Sequence, residues 1–140
     1  MNIKFKLLLL SLTICISQNS LANTKVKMTS TESEDNYVLK DSIVQIKPNV
    51  LRYWTETIYK EDISDEYGLL YKKDQYIRKL EENNCKEKTK RVKSITLYNK
   101  DGTVVRTSTI KDSEVQTHYI VPNSYGEEHM KQICKIKGIR

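Results

Sequence analysis

The stretch RVKSITLY-NKDG-TVVRTSTI, residues 91–110, decides the fold. Two runs rich in Val, Ile, Thr and Tyr flank Asn99-Lys100-Asp101-Gly102, and the Asp-Gly pair tolerates the positive φ angles that a tight strand reversal demands. A β-hairpin is predicted here, and with it an antiparallel sheet. The same texture, punctuated by Asp, Asn, Pro and Gly, extends upstream and predicts strands over residues 37–40, 42–47 and 50–59, with Pro48-Asn49 as a turn between the last two. Residues 75–85 would also suit a helix face through Tyr76, Ile77 and Leu80, but read better as a strand running into Cys85. Residues 117–121 add a short strand. The acidic, mixed stretch 60–73 reads as a long connection.

Pro122-Asn123 ends the strand pattern, and Ser124 with Glu127 three residues on forms a capping box ahead of Met130, Ile133 and Cys134 at helical spacing. This predicts a C-terminal helix whose apolar stripe carries Cys134 toward the sheet. The expected fold class is α+β: an antiparallel sheet of about five to seven strands, a C-terminal helix packed on one side, and one disulfide. No internal repeat or low-complexity tract interrupts it.

The N-terminus has a different character. Lys4 and Lys6 precede a run of ten largely apolar residues, 7–16, and Ser20-Leu21-Ala22 places small residues where a signal peptidase reads them. Residues 1–22 are therefore expected to be a cleaved signal peptide, with the mature chain starting at Asn23. The apolar run is too short to span a bilayer, which takes ~20 residues. Cys15 follows the large, branched Ile14 and is a poor lipidation site. Residues 23–35, polar and mixed in charge, are expected to be a flexible tail, and residues 36–140 the folded domain.

Removing 22 of the 140 residues leaves 118, the size of one domain. Two of the 24 cationic residues and none of the 18 acids leave with them, so the surplus is four positive charges. That is too small to indicate nucleic acid. Only Cys85 and Cys134 remain, and export through an oxidising compartment makes a bridge between them the expected state. A metal site would need more ligands than two cysteines and two histidines obviously supply.

No catalytic arrangement emerges around His118 or His129, and Ser124 lacks the glycine two residues earlier that a nucleophile elbow requires. There is no phosphate loop and no calcium-loop spacing. The chain is read as non-enzymatic, with no catalytic residue, cofactor or metal. Two features suit binding. Lys86, Lys88, Lys90, Arg91 and Lys93 form a dense cationic segment, the candidate binding patch for an acidic protein surface or a sulfated polysaccharide. Nine tyrosines, all beyond residue 22, could serve as interface anchors.

The order of these features resembles the surface-adhesin protein E family, small exported domains of Gram-negative bacteria. The matching pieces are Tyr37-Val38-Leu39-Lys40-Asp41-Ser42-Ile43, the strand from Val50 to Trp54, Tyr76 to Leu80 leading to Asn84-Cys85, a hairpin with Tyr98 and Gly102, and Val121-Pro122-Asn123-Ser124 before Ile133-Cys134. The resemblance implies adhesion to host matrix or serum proteins, such as vitronectin and laminin, at the cell surface or outside it, and leaves a homodimer open. This chain lacks the family founder's lipidation cysteine, so a soluble periplasmic location stands beside the surface one. The alternative reading is a periplasmic inhibitor or immunity protein that binds a hydrolase or toxin.

Overall fold

The computed structural model describes residues 24–139, so the expected signal peptide and its cleavage point lie outside the described residues. Ten strands and one α-helix follow in order: β1 Lys25–Ser30, β2 Glu34–Leu39, β3 Val44–Lys47, β4 Val50–Tyr59, β5 Ile63–Ser64, β6 Leu70–Tyr71, β7 Tyr76–Asn84, β8 Thr89–Tyr98, β9 Val104–Thr109, β10 His118–Tyr119 and α1 Tyr125–Ile136. A 3₁₀ turn at Lys40–Ser42 joins β2 to β3. Eight strands form one antiparallel sheet, more than the five to seven expected, while β5 and β6 pair separately.

Three long strands, β4, β7 and β8, make the centre of the sheet in that order. Each outer edge of this trio is shared by two shorter strands. The outer edge of β4 pairs with β2 through residues 55–59 and with β3 through residues 50–52. Likewise β8 pairs with β9 along residues 94–98 and with β10 at Thr89 and Lys90. Splitting the flanking strands is what raises the count.

The turns follow their sequence chemistry. Asn49, at φ 61°, closes the β3–β4 hairpin in the left-handed region that Asn tolerates better than most residues. In the β8–β9 hairpin only Gly102 takes a positive φ, of 85°. Asp101 instead uses its carboxylate to accept from the Thr103 amide at 2.9 Å, and a bulge between Leu97 and Tyr98 precedes the loop. The loop is thus a five-residue one, residues 99–103, rather than a two-residue Asp-Gly reversal.

Residues 23–35, expected as a flexible tail, are corrected by the structure from Lys25 onward. Val26 and Val38 are register partners across β1 and β2, and Val26 and Met28 pack against the main apolar cluster. Two inward apolar residues and a ladder interrupted only by a bulge between Lys27 and Thr29 suffice to order an edge strand whose lysines face solvent. The connection 60–73 is also more ordered than expected. Asp65 accepts hydrogen bonds from the amides of Tyr67 at 3.0 Å and Leu69 at 2.9 Å and from the Tyr71 hydroxyl at 3.0 Å, which closes the β5–β6 pair.

The helix forms as its sequence indicates. Ser124 caps it, its Oγ accepting from the Glu127 amide at 3.3 Å. The Glu127 carboxylate reaches past the cap to the Asn123 amide at 3.0 Å, a variant of the reciprocal box. Ile133 is fully buried with Val38, Ile43, Leu51 and Tyr53 of the sheet. Cys134, next to it, is bonded to Cys85 in the β7–β8 turn, so the expected disulfide is present and ties helix to sheet.

Candidate functional site

Register fixes which side chains meet on the helix side of the sheet. Opposed pairs Tyr53–Glu81, Thr55–Lys79 and Thr57–Ile77 on β4 and β7 share one face, because side chains alternate along a strand. Apolar residues occupy the two ends of this face. One end holds the cluster of Val38, Ile43, Leu51, Tyr53 and Ile133. The other holds Tyr59, Tyr71, Ile77 and Leu97, covered by β5 and β6. Between them the face turns polar, and there it opens into a recess of about 180 Å³.

Thr55, Thr57, Lys79, Glu81 and Lys90 line the recess from the sheet, with Thr29 and Asn36 from β1 and β2, and Tyr125, Gly126 and His129 from α1. His129 is there because it precedes Ile133 by one helical turn and therefore faces the same side. Asn36 and Thr57 satisfy each other, the threonine hydroxyl donating to the amide oxygen at 2.6 Å. Glu81 is only 2% exposed, and its Oε1 meets the Lys90 ammonium at 2.8 Å. Its Oε2 has no partner. Neither does His129 Nε2 nor, deeper in the apolar cluster, the Tyr53 hydroxyl, although all three atoms are sealed from solvent.

Such orphaned polar atoms are uncommon in folded proteins, since each forfeits its hydration without a replacement bond. The three are electrostatically linked through Glu81. Burial, next the charge of Glu81 and then Glu81 as a hydrogen-bond acceptor opposite it in register push the Tyr53 hydroxyl well above its usual pKa, so the donor nearest to Glu81 is this buried phenol. Burial holds the His129 imidazole below its usual value, opposed by Glu81 and assisted by Lys90. No serine or cysteine is among the residues lining the recess. Among the described residues, no group of three or more His, Cys, Asp or Glu side chains is placed to hold a metal ion. No described helix is long and apolar enough to cross a membrane.

His118 does not join His129. It lies exposed on β10, outside the recess. Nor does the cationic segment stand free in water. Lys88 pairs with Glu127 at 3.0 Å, Lys90 with Glu81, Arg91 with Glu82 at 3.5 Å, and Lys93 with Asp112. The Lys93 side chain is only 13% exposed. Lys86 alone of the five makes no ion pair among the described residues. The segment's cations thus largely balance acids of the protein itself.

Immediately beside this segment runs a surface that charge patterning did not single out. Tyr119 is 83% exposed, Val121 67% and Tyr125 84%. The backbone holds them in place: Tyr119 is the register partner of Thr89, the Ile120 amide donates to the Lys88 carbonyl at 2.9 Å, and Ser124 starts the helix. Sequence reading marked Tyr119 only as one tyrosine among nine.

No curated protein matches the chain. A family profile does, that of surface-adhesin protein E, over residues 24–135. Its span takes in the sheet from β1, both cysteines and all but the last turn residue of the capped helix, so the chain belongs to the surface-adhesin protein E family.

Proposed function

We propose that this chain is an exported, non-enzymatic binding protein that engages a protein partner through residues 119–125 and the cationic turn and strand beside them. The observation that carries this reading is the exposure of Tyr119, Val121 and Tyr125 on a backbone pinned at both ends. Tyrosine at an interface buries a large ring while its hydroxyl finds a bond, and side chains on ordered backbone lose less entropy on capture. Lys86 and the half-exposed Lys88 lie alongside and favour an acidic partner surface. Membership of an adhesin family supports host matrix or serum proteins as the partner class.

The test is surface plasmon resonance of the exported protein on immobilised vitronectin and laminin. The Tyr119→Ser, Tyr125→Ser double variant is expected to weaken binding at least tenfold, and added salt to slow association modestly. Parent-like binding by that variant would remove this surface from consideration. Co-purification with a periplasmic hydrolase or toxin instead would favour the inhibitor or immunity reading. Self-association into a homodimer is supported by β9, exposed along its length with Val104 and Val105 outward, and sedimentation equilibrium tests it.

A further inference from the structure

We propose that the face of the sheet turned away from α1 is a binding surface for an extended sulfated polysaccharide. Three carboxylates on this face each hold two cations. Asp35 pairs with Lys27 at 3.0 Å and Lys60 at 3.3 Å, Glu56 with Lys25 and with Arg78 at 2.9 Å, and Glu82 with Arg52 at 2.6 Å and Arg91 at 3.5 Å. Register puts the three trios on one side, since Asp35 is opposite Ile58 and Glu82 opposite Arg52, and both β4 residues alternate in step with Glu56. The acids lie beneath their cations: the carboxylate side chains are 2–19% exposed and the six cationic ones 35–49%. Solvent therefore meets ammonium and guanidinium groups first. Each trio carries one net positive charge, so the three together hold a surplus of three, where the whole of residues 23–140 has a surplus of four.

The layout of this charge selects a long anion over a compact one. Measured along β4 the trios fall at residues 58, 56 and 52 while stepping from β2 to β4 to β7, a diagonal stripe about 20 Å long at ~3.3 Å per residue. On the stripe lies a shallow recess of about 330 Å³, lined by Lys25, Arg78 and Lys100 beside Ile58 and Tyr76. Asp74, also in its lining, is answered by Lys100 at 2.9 Å. Among the described residues Arg78 spends only its Nε on Glu56, which leaves its terminal N–H groups for a ligand oxygen. Other long anions fit less well. Nucleobases need free ring faces, but Tyr76 and Tyr98 stack on each other at 4.8 Å with Arg78 over both, and Lys27 lies 6.0 Å from the Tyr37 ring. An acidic peptide finds no free backbone, because β4 and β7 are paired along both edges. An anionic bilayer wants apolar side chains standing out among the cations, whereas Trp54, Ile58 and Leu80 of this face are half-buried. Sulfates spaced along a sugar chain need only cations at intervals.

The doubled pairing supplies a clean variant. Exchanging Lys25, Lys27 and Arg52 together for Gln removes one cation from each trio, leaves each acid the other, and cancels the net charge of the face. The experiment titrates a heparin octasaccharide into the exported protein by calorimetry at physiological and at rising salt, with amide spectra to confirm the fold. The parent is expected to bind, and the variant to bind at least tenfold more weakly with a flatter salt dependence. Lys27→Gln alone, on an edge strand where the fold is least at risk, should weaken binding about twofold. A matched control exchanges the exposed Lys86, Lys135 and Lys137, in the β7–β8 turn and at the end of α1, for Gln and should bind within about twofold of the parent. The proposal is overturned if the parent does not bind the octasaccharide, if the control loses as much as the face variant, or if single-stranded oligothymidylate or phosphatidylglycerol vesicles bind as tightly. The Tyr119→Ser, Tyr125→Ser variant should bind the octasaccharide like the parent, and loss of binding there would move the site off this face and overturn the proposal as well. The face trios and the 119–125 surface share no residue, so failure of one reading leaves the other standing.

Discussion

The two faces of the sheet treat buried carboxylates differently. On the open face, Glu56 is 2% exposed yet has two cations, Lys25 on Oε1 and Arg78 on Oε2, the latter at 2.9 Å. Arg78 in turn lies 5.4 and 5.6 Å from the centroids of Tyr76 and Tyr98, whose rings stack on each other. Glu82, on the same side, sits between Arg52 at 2.6 Å and Arg91 at 3.5 Å. Every carboxylate oxygen of these two residues is answered, although Arg91 Nε is itself buried without a partner. On the helix side, Glu81 has Lys90 alone and one oxygen unanswered. A buried carboxylate with one cation is more exposed to the loss of that cation than a carboxylate with two, so the two faces should respond differently to the same kind of substitution.

The largest effect that can break this arrangement is loss of the bridge that holds α1 over the recess. Cys85 and Cys134 are 49 residues apart, and a crosslink closing a loop of that size stabilises by ~4 kcal/mol in the chain-entropy account. Cys134→Ala should therefore lower the denaturation midpoint strongly in urea titration, and should release Cys85 to thiol reagents. Next in size is the removal of single cations. Lys90→Met leaves Glu81 with no partner, and with the lysine partly exposed the expected cost is about 2–3 kcal/mol, below the range for fully buried pairs. Arg78→Met leaves Glu56 with Lys25, so about 1 kcal/mol is expected. Equal costs for the two variants would erase the difference between the faces. By the same logic, exchanging Lys88, Lys90 and Arg91 together for Ser should destabilise the fold, not merely the surface. Ser124→Ala, which removes the cap of α1, should cost about 1 kcal/mol by the same titration.

Much of the scaffold was legible because its signals are local. The Val-, Ile- and Tyr-rich runs of β4 and β8, the Asn99–Gly102 reversal, the Ser124 cap and the lone cysteine pair each follow from neighbours in sequence. The recess was not legible, since it is assembled from five strands and a helix through pairings that sequence spacing does not encode. Nothing in the sequence singles out Glu56, Glu81 and Glu82, and the cations of residues 86–93 read as a free patch. Only the register reveals that Lys90 answers Glu81 and Arg91 answers Glu82, while Glu56 is answered by Lys25 and Arg78. Residues 25–30 were misjudged for a related reason: an edge strand borrows most of its stability from its neighbour, so its own composition can be poor.

The smallest expected effect is a mild loss of stability on acidification, and it sharpens the contrast because it arises on the helix side. His129 is held below its usual pKa of 6.5, chiefly by burial under α1, with Lys90 of β8 adding to the depression and Glu81 of β7 opposing it. The unfolded chain thus takes up this proton at higher pH than the folded one. Stability from this group is fully present above 6.5 and declines as pH falls from there through the lowered folded value. Glu127 acts further down: the Asn123 amide, then Lys88, holds its carboxyl at about 2, so its share is present above the ordinary value of 4.5 and is lost between there and about 2. Two separate declines are therefore expected in urea midpoints measured across pH, and His129→Gln should remove the upper one only. If the upper decline persists unchanged in His129→Gln, the imidazole is not the group that senses mild acid, and its burial against the recess has no electrostatic consequence.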